Sequence, residues 1–236
     1  MKQKKFLLLS TILVGVISVA CSNDSENNEP EMPSVKMVLN SIYGGYPSSS
    51  DPESYGVRFE DAQYDTQGRI LSYKEYDGDL VLYTYSSSSI TKSDSGEEWQ
   101  YNLNADGLII SDSKGNRFEY DSNKQLISDG DDNFVWSNGN MVKSGSDTYV
   151  YTTYFNTVSC FIQFLFSTVY FDNCDPFLMA SGFYGKIPKN LVDKYYSDGD
   201  LGWNFLYEFN SNGYPTKITT SDASYDAIYT LSWKNL

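Results

Sequence analysis

Polar and apolar residues alternate through much of the chain, and short clusters of turn formers interrupt the alternation. LVLYTYS, Leu80 to Ser86, sets Leu80 and Leu82 against Val81, Tyr83 and Tyr85. DTYVYTTY sets Tyr149, Tyr151 and Thr153 against Val150, Thr152 and Tyr154. Period-two strings bounded by turn residues at short intervals predict antiparallel strands in a meander. A related unit returns along the chain: YDTQGRILS from Tyr64, YNLNADGLIIS from Tyr101, YDSNKQLIS from Tyr120, WSNGNMVKS from Trp136 and FNSNGYPTKI from Phe209. Each has an aromatic residue, a few polar turn formers and then β-branched or apolar residues. Gly68, Gly107, Gly139 and Gly213 occupy the turns, where glycine takes positive φ without steric cost. In the Tyr120 copy Lys124 stands in the glycine position, and Asn123 is the expected left-handed residue. The first interval between copies is longer than the next, as if a degenerate copy near Ser86 to Gly96 were skipped.

Two segments depart from this pattern. TVSCFIQFLFSTVYF, Thr157 to Phe171, is apolar, β-branched and aromatic, and predicts one or two buried strands. IPKNLVDKYYSDGD places Leu191, Val192 and Tyr195 on one helical face, with Pro188 suited to a first turn. It predicts one short helix near residues 188–196. The fold class expected is therefore all-β, an antiparallel meander of hairpins. Each hairpin buries its face only by stacking on its neighbours.

The first residues read as an address. Lys2, Lys4 and Lys5 precede an apolar run from Phe6 to Ala20, the n-region and h-region of a signal peptide. Ser18-Val19-Ala20-Cys21 resembles a bacterial lipoprotein signal, whose cysteine is lipidated and becomes the first mature residue. SNDSENNEPEMPS, Ser22 to Ser34, is too polar to order itself and reads as a tether. The expected organisation is a signal peptide over 1–20, a flexible tether over 21–34 and a single β domain over 35–236. Ser22 in place of Asp favours the outer membrane, lipid-anchored, on either the periplasmic face or the cell surface. With Cys21 taken by lipid, Cys160 and Cys174 remain, either as a disulfide in an oxidising compartment or as two buried thiols.

Composition narrows the function. The 236 residues carry 17 basic and 31 acidic side chains, no histidine, and a formal net charge of -14. Such a chain is repelled by nucleic acid. Without histidine there is no Ser-His-Asp triad and no His-ligated zinc, and no phosphate-binding GxxxxGK[ST] loop occurs. Acidic clusters at Asp77 and Asp79, at Asp129, Asp131 and Asp132, and at Asp198 and Asp200 are each built around a glycine and read as turns. No cofactor, metal site or catalytic residue is expected. Tyrosine occurs 21 times, and most of these rings read as packing residues of the sheet.

The YDTQGRILS-type units resemble the tyrosine-aspartate repeats of Rhs-like shells. WSNGNMVKS and YEFNSNGYPTKI, together with the lipoprotein-like start, resemble more specifically the Bacteroidetes lipoproteins of unknown function that have a porin-like fold. The resemblance implies a sheet rolled into a barrel or half-barrel, with no established reaction and no agreed catalytic residues. Some members have been called putative lipid-binding proteins. The expectation that follows is non-catalytic binding of an apolar, lipid-like ligand. The alternatives are a glycan- or protein-binding surface, with Trp99, Trp136, Trp203 and Trp233 as its candidates, and a structural part of an envelope complex.

Overall fold

The computed structural model describes residues 36–45, 55–75, 77–157, 173–222 and 226–236, without the side chains of 55–57. The segments read as a signal and a tether, Cys21, Cys160 and most of the apolar Thr157–Phe171 segment lie outside them. Among the described residues the chain is almost entirely strand. The strands run β1 (Met37–Gly45), β2 (Tyr55–Tyr64), β3 (Ile70–Glu75), β4 (Leu80–Tyr85), β5 (Ser89–Asp94), β6 (Glu97–Leu103), β7 (Ile109–Asp112) and β8 (Glu119–Tyr120). They continue with β9 (Leu126–Ser128), β10 (Phe134–Ser137), β11 (Asn140–Ser144) and β12 (Asp147–Phe155). A short helix α1 (Pro176–Ala180) precedes β13 (Asn190–Ser197), β14 (Asp200–Phe209), β15 (Pro215–Ser221) and β16 (Asp226–Asn235).

Fourteen strands form one antiparallel sheet in which sequence neighbours pair. The exception to chain order is the seam, where β1 pairs with β16, from Met37 opposite Asn235 to Gly45 opposite Ile228. The sheet does not close as a continuous ladder. Its edges are β7 and β10, and between them lies the two-stranded β8–β9. Isolated bridges Ser111–Arg117 and Ser128–Asn133 join β8–β9 to either side.

The alternation expected from the sequence is realised. On β4, Val81 and Tyr83 are buried while Leu80 and Leu82 are exposed. The inward residues include Ile42, Phe59, Ile70, Tyr73, Ile90, Ile109, Phe205 and Tyr229, and they form one apolar core. The outward positions of β5 and β6 are Ser, Thr, Glu, Gln and Asn.

The recurring turn has a constant part. Asp65, Asn104, Asp112, Asp121 and Asn210 each accept two backbone N–H bonds on Oδ1, from the residues two and four positions on. The N–H of the fourth residue, Gly68, Gly107, Gly115, Lys124 or Gly213, closes each turn on the first carbonyl. Such side-chain bonds hold the backbone in a turn it would otherwise share with other conformers. Lys124 itself is left-handed, at φ 62°; Asn123 is not. The chain geometry requires positive φ at the fourth position of the turn, so the residue there adopts it whatever its type. Asn138-Gly139 is different, a two-residue hairpin with both φ positive, the type I′ geometry.

The helix expected near 188–196 is strand β13. Its residues pair with β12 on one side and β14 on the other. Two physical reasons decide this. Asp198 and Gly199 both have positive φ, so the chain turns straight back into a hairpin. Sheet pairing on both sides also satisfies every donor and acceptor that an isolated short helix would leave open at its ends.

Candidate functional site

The concave face of the sheet is where a ligand would sit, and α1 fills it. The sequence DPFLMASG, Asp175 to Gly182, carries its own start and stop signals. Asp175 is the N-cap and accepts from Leu178 N at 3.0 Å, and Pro176 opens the first turn. Gly182, at φ 85°, ends it. The sequence reading passed over this helix because five residues are too few to show a helical period. The cap and the Pro-to-Gly spacing were the available signal.

From α1 the side chains of Phe177, Leu178 and Met179 are buried. The Phe177 ring stacks on Tyr73 with centroids 4.2 Å apart and meets Phe59 edge-on at 5.1 Å. The loop after α1 is fixed equally closely. Lys186 N donates to Lys124 O at 2.8 Å, and a Cβ on Gly185 would lie 2.2 Å from that same oxygen, so only glycine fits there.

Asp175 also ties the plug to the wall. Its side chain is 3% exposed. Oδ2 accepts from the Tyr83 hydroxyl at 2.9 Å and lies 3.6 Å from Lys92 Nζ. Burial, and after it the Asp175 charge, push the Tyr83 hydroxyl far above the ordinary tyrosine value. It therefore stays protonated and remains a donor. Burial does the same to Tyr184, whose oxygen accepts the Asp175 N–H at 3.3 Å.

The tyrosines have a second task. A ring packs inward while its polar tip donates to a backbone carbonyl of an earlier strand: Tyr64 to Leu39, Tyr85 to Ile70, Tyr120 to Ile109, Tyr151 to Met141 and Tyr207 to Val192. Trp136 Nε1 donates likewise to Leu126 at 2.8 Å and Trp233 Nε1 to Pro215 at 2.6 Å. Trp99 and Trp203 are half-buried against the core. The four tryptophans thus form no exposed coplanar platform for a glycan.

The acidic clusters lie in turns. Asp79 N donates to Asp77, and the backbone of Asp131 and Asp132 donates to Asp129. No group of three or more Cys, Asp or Glu among the described residues could hold a metal ion. Cys174 is buried, while Cys160 lies outside the described residues, as does Cys21.

Among the described residues, two cavities open near the plug. One, of about 220 Å³, lies at the seam between Lys36, Leu39, Gly68, Phe177, Ile187 and Trp233. The other, of about 200 Å³, lies beside the edge strand β7 and is polar, with Lys92, Tyr101, Asp112, Lys114 and Asn116 among its walls.

With this geometry the relatives can be placed. No protein-family model and no curated protein matches the sequence. Solved structures do. A porin-like protein from Bacteroides uniformis superposes with a TM-score of 0.56 at 13% identity, over 83% of this chain and 98% of the other. The fold is porin-like. A second porin-like protein, from Bacteroides vulgatus, gives a TM-score of 0.55 at 12% identity, over 85% of this chain and 100% of the other. At such identities the likeness extends to the fold alone. Strands β5 and β6 differ in polarity from those of a membrane channel, while β4 and β14 carry exposed leucines at Leu80, Leu82, Leu201 and Leu206. Lipid-spanning barrels carry an outward apolar band around a polar lumen. Here the inward faces are apolar and the outward faces of β5 and β6 are polar. Strands β3, β4 and β5 have six residues each, and β1, β2, β12, β14 and β16 have nine or ten, against about 9–11 for a membrane-spanning strand.

Proposed function

We propose that this protein is a non-catalytic component of a bacterial cell envelope, held at the outer membrane by lipid on Cys21, and that it works through the surface of a filled β shell. The observation that carries the reading is the plug. Phe177, Leu178 and Met179 occupy the concave face, where a channel would need water and a carrier would need room for an acyl chain. The cavities beside the plug, at about 220 and 200 Å³, fall below the roughly 300 Å³ at which sites for drug-sized ligands begin. The lipoprotein-like start and the acidic tether supply the address, and the absence of histidine from the sequence supports a role without acid-base chemistry.

The reading is tested by titrating the purified protein with fluorescent fatty acids and phospholipids. No saturable binding is expected below about 100 μM, a free energy of about -5.5 kcal/mol. Tight saturable binding would restore an apolar ligand as the function. The anchor is tested separately. Cys21→Ala should abolish metabolic acyl labelling and release the protein from the membrane fraction, and unchanged labelling would sink that part.

A further inference from the structure

The polar cavity beside β7 is a different kind of place from the apolar core that surrounds it. It lies where the inward rows of β5 and β6 meet the turn Asp112–Asn116, with the N-terminal end of α1 as its floor. Lys92 pairs in register with Trp99, and Tyr101 with Asp112, so these four side chains share the inner surface at the edge of the sheet.

The chemistry of the cavity is incompletely used by the protein. The Lys92 and Lys114 ammonium groups lie 5.4 and 5.5 Å from the centre of the same Trp99 ring. Two cations are thus gathered on one indole in a chain with a net charge of -14. Among the described residues Lys114 has no carboxylate within ion-pair reach, and Lys92 has only Asp175, at 3.6 Å. Tyr101 is 7% exposed and lines the cavity, and its hydroxyl has no hydrogen-bond partner among the described residues. The hydroxyl is not itself a buried unpaired atom; it opens on the cavity, where it can pair with water or with a ligand's hydroxyl. The carboxylates are already engaged. Asp112 accepts from Lys114 N, Asn116 N and Asn116 Nδ2, at 2.9, 3.0 and 2.9 Å, and Asp175 from Leu178 N and Tyr83. Asn116 and Asn173 each donate from Nδ2 to an aspartate, which leaves their amide oxygens as acceptors on the cavity wall.

We infer that this cavity is a binding site for an acidic monosaccharide unit, a hydroxyl-rich ring carrying one anionic group. The two ammonium groups take the anion, the Tyr101 hydroxyl and the amide oxygens of Asn116 and Asn173 take the ring hydroxyls, and the volume of about 200 Å³ suits one sugar ring rather than an acyl chain. The inference does not depend on the anchor or on what the rest of the surface contacts.

The test uses the purified full chain and four probes: D-glucuronate, D-glucose 6-sulfate, D-glucose and acetate, followed by calorimetry and ligand-observed NMR. At least one acidic sugar should bind saturably with a Kd below about 10 mM, about -2.7 kcal/mol. It should bind at least threefold more tightly than both glucose and acetate. Which acidic sugar binds better separates a carboxylate from a sulfate group. Lys114→Gln, on an exposed turn and with an unchanged melting temperature as the folding control, should weaken that binding at least threefold, and Tyr101→Phe should weaken it too. Absence of saturable binding by either acidic sugar overturns the inference. Acetate binding as well as the sugars reduces the site to nonspecific anion attraction and also overturns it. So does a change of less than threefold in Lys114→Gln.

Discussion

Two side chains sit in positions that do not suit them, and each gives a measurable prediction. Lys124 holds φ 62° where four other turns have glycine. A left-handed non-glycine residue costs about 1–2 kcal/mol, and glycine regains part of that while adding freedom to the unfolded chain. The Lys124–Asp106 ion pair at 3.1 Å is exposed on both sides and contributes little. Lys124→Gly should therefore stabilise the protein by about 0.5–1 kcal/mol, read as a higher urea midpoint with an unchanged slope. Asp132 is strained electrostatically. Burial, then the charges of Asp129, Asp147 and Asp131, push its carboxyl above the usual value. A raised folded pKa means that the folded state holds the proton more tightly than the unfolded chain. The associated stability is then present below the unfolded value of about 3.9 and is lost as pH rises through the folded pKa. Asp132→Asn should accordingly raise the melting temperature at pH 7 by about 1–2 °C. That gain should shrink as the pH is lowered toward 4, and a gain that is constant with pH would refute the electrostatic cause.

At the scale of elements, α1 is a plug whose largest buried side chain is Phe177. Phe177 is 2% exposed and touches Tyr73 and Phe59. Phe177→Ala should cost about 3–5 kcal/mol by equilibrium denaturation. A loss under 1 kcal/mol would mean that the core closes without the plug. The strands and their facing were legible in the sequence because period two is a local signal, and Val81, Tyr83 and Tyr149 are buried where alternation puts them. The repeat was legible but aligned on the wrong residue. Taking the aromatic as the fixed point made the distance to glycine vary, whereas the conserved geometry is the three-residue step from Asp65, Asn104 or Asn210 to its glycine. That alignment also passed over the turn at Asp112–Gly115. The strand β13 was misread because Leu191, Val192 and Tyr195 satisfy a helical face, and only pairing with β12 and β14 distinguishes the two. The polar cavity was not legible at all. Lys92, Tyr101, Lys114 and Asn173 come from four separate segments, and no spacing along the chain relates them.

For the molecule as a whole, the seam between β1 and β16 joins the first described strand to the last. Deleting residues 226–236 leaves β1 and β15 each without a partner on one side and removes Tyr229 and Leu231 from the core. The truncated chain is expected to lose its cooperative thermal transition, checked by calorimetry, although the remaining hairpins are local in sequence. The same seam sets a schedule. A chain that emerges amino end first, from a ribosome or an export channel, presents β1 with its β16-facing edge bare. It stays so until residues 226–236 follow. All of the chain between β1 and β16 must be delivered before that edge is covered, and a bare edge invites pairing with another chain. The time spent waiting for β16, rather than the strength of any contact in the finished sheet, is then what a holding chaperone would have to bridge. A stalled or clipped chain would be dangerous to its neighbours long before it was useful.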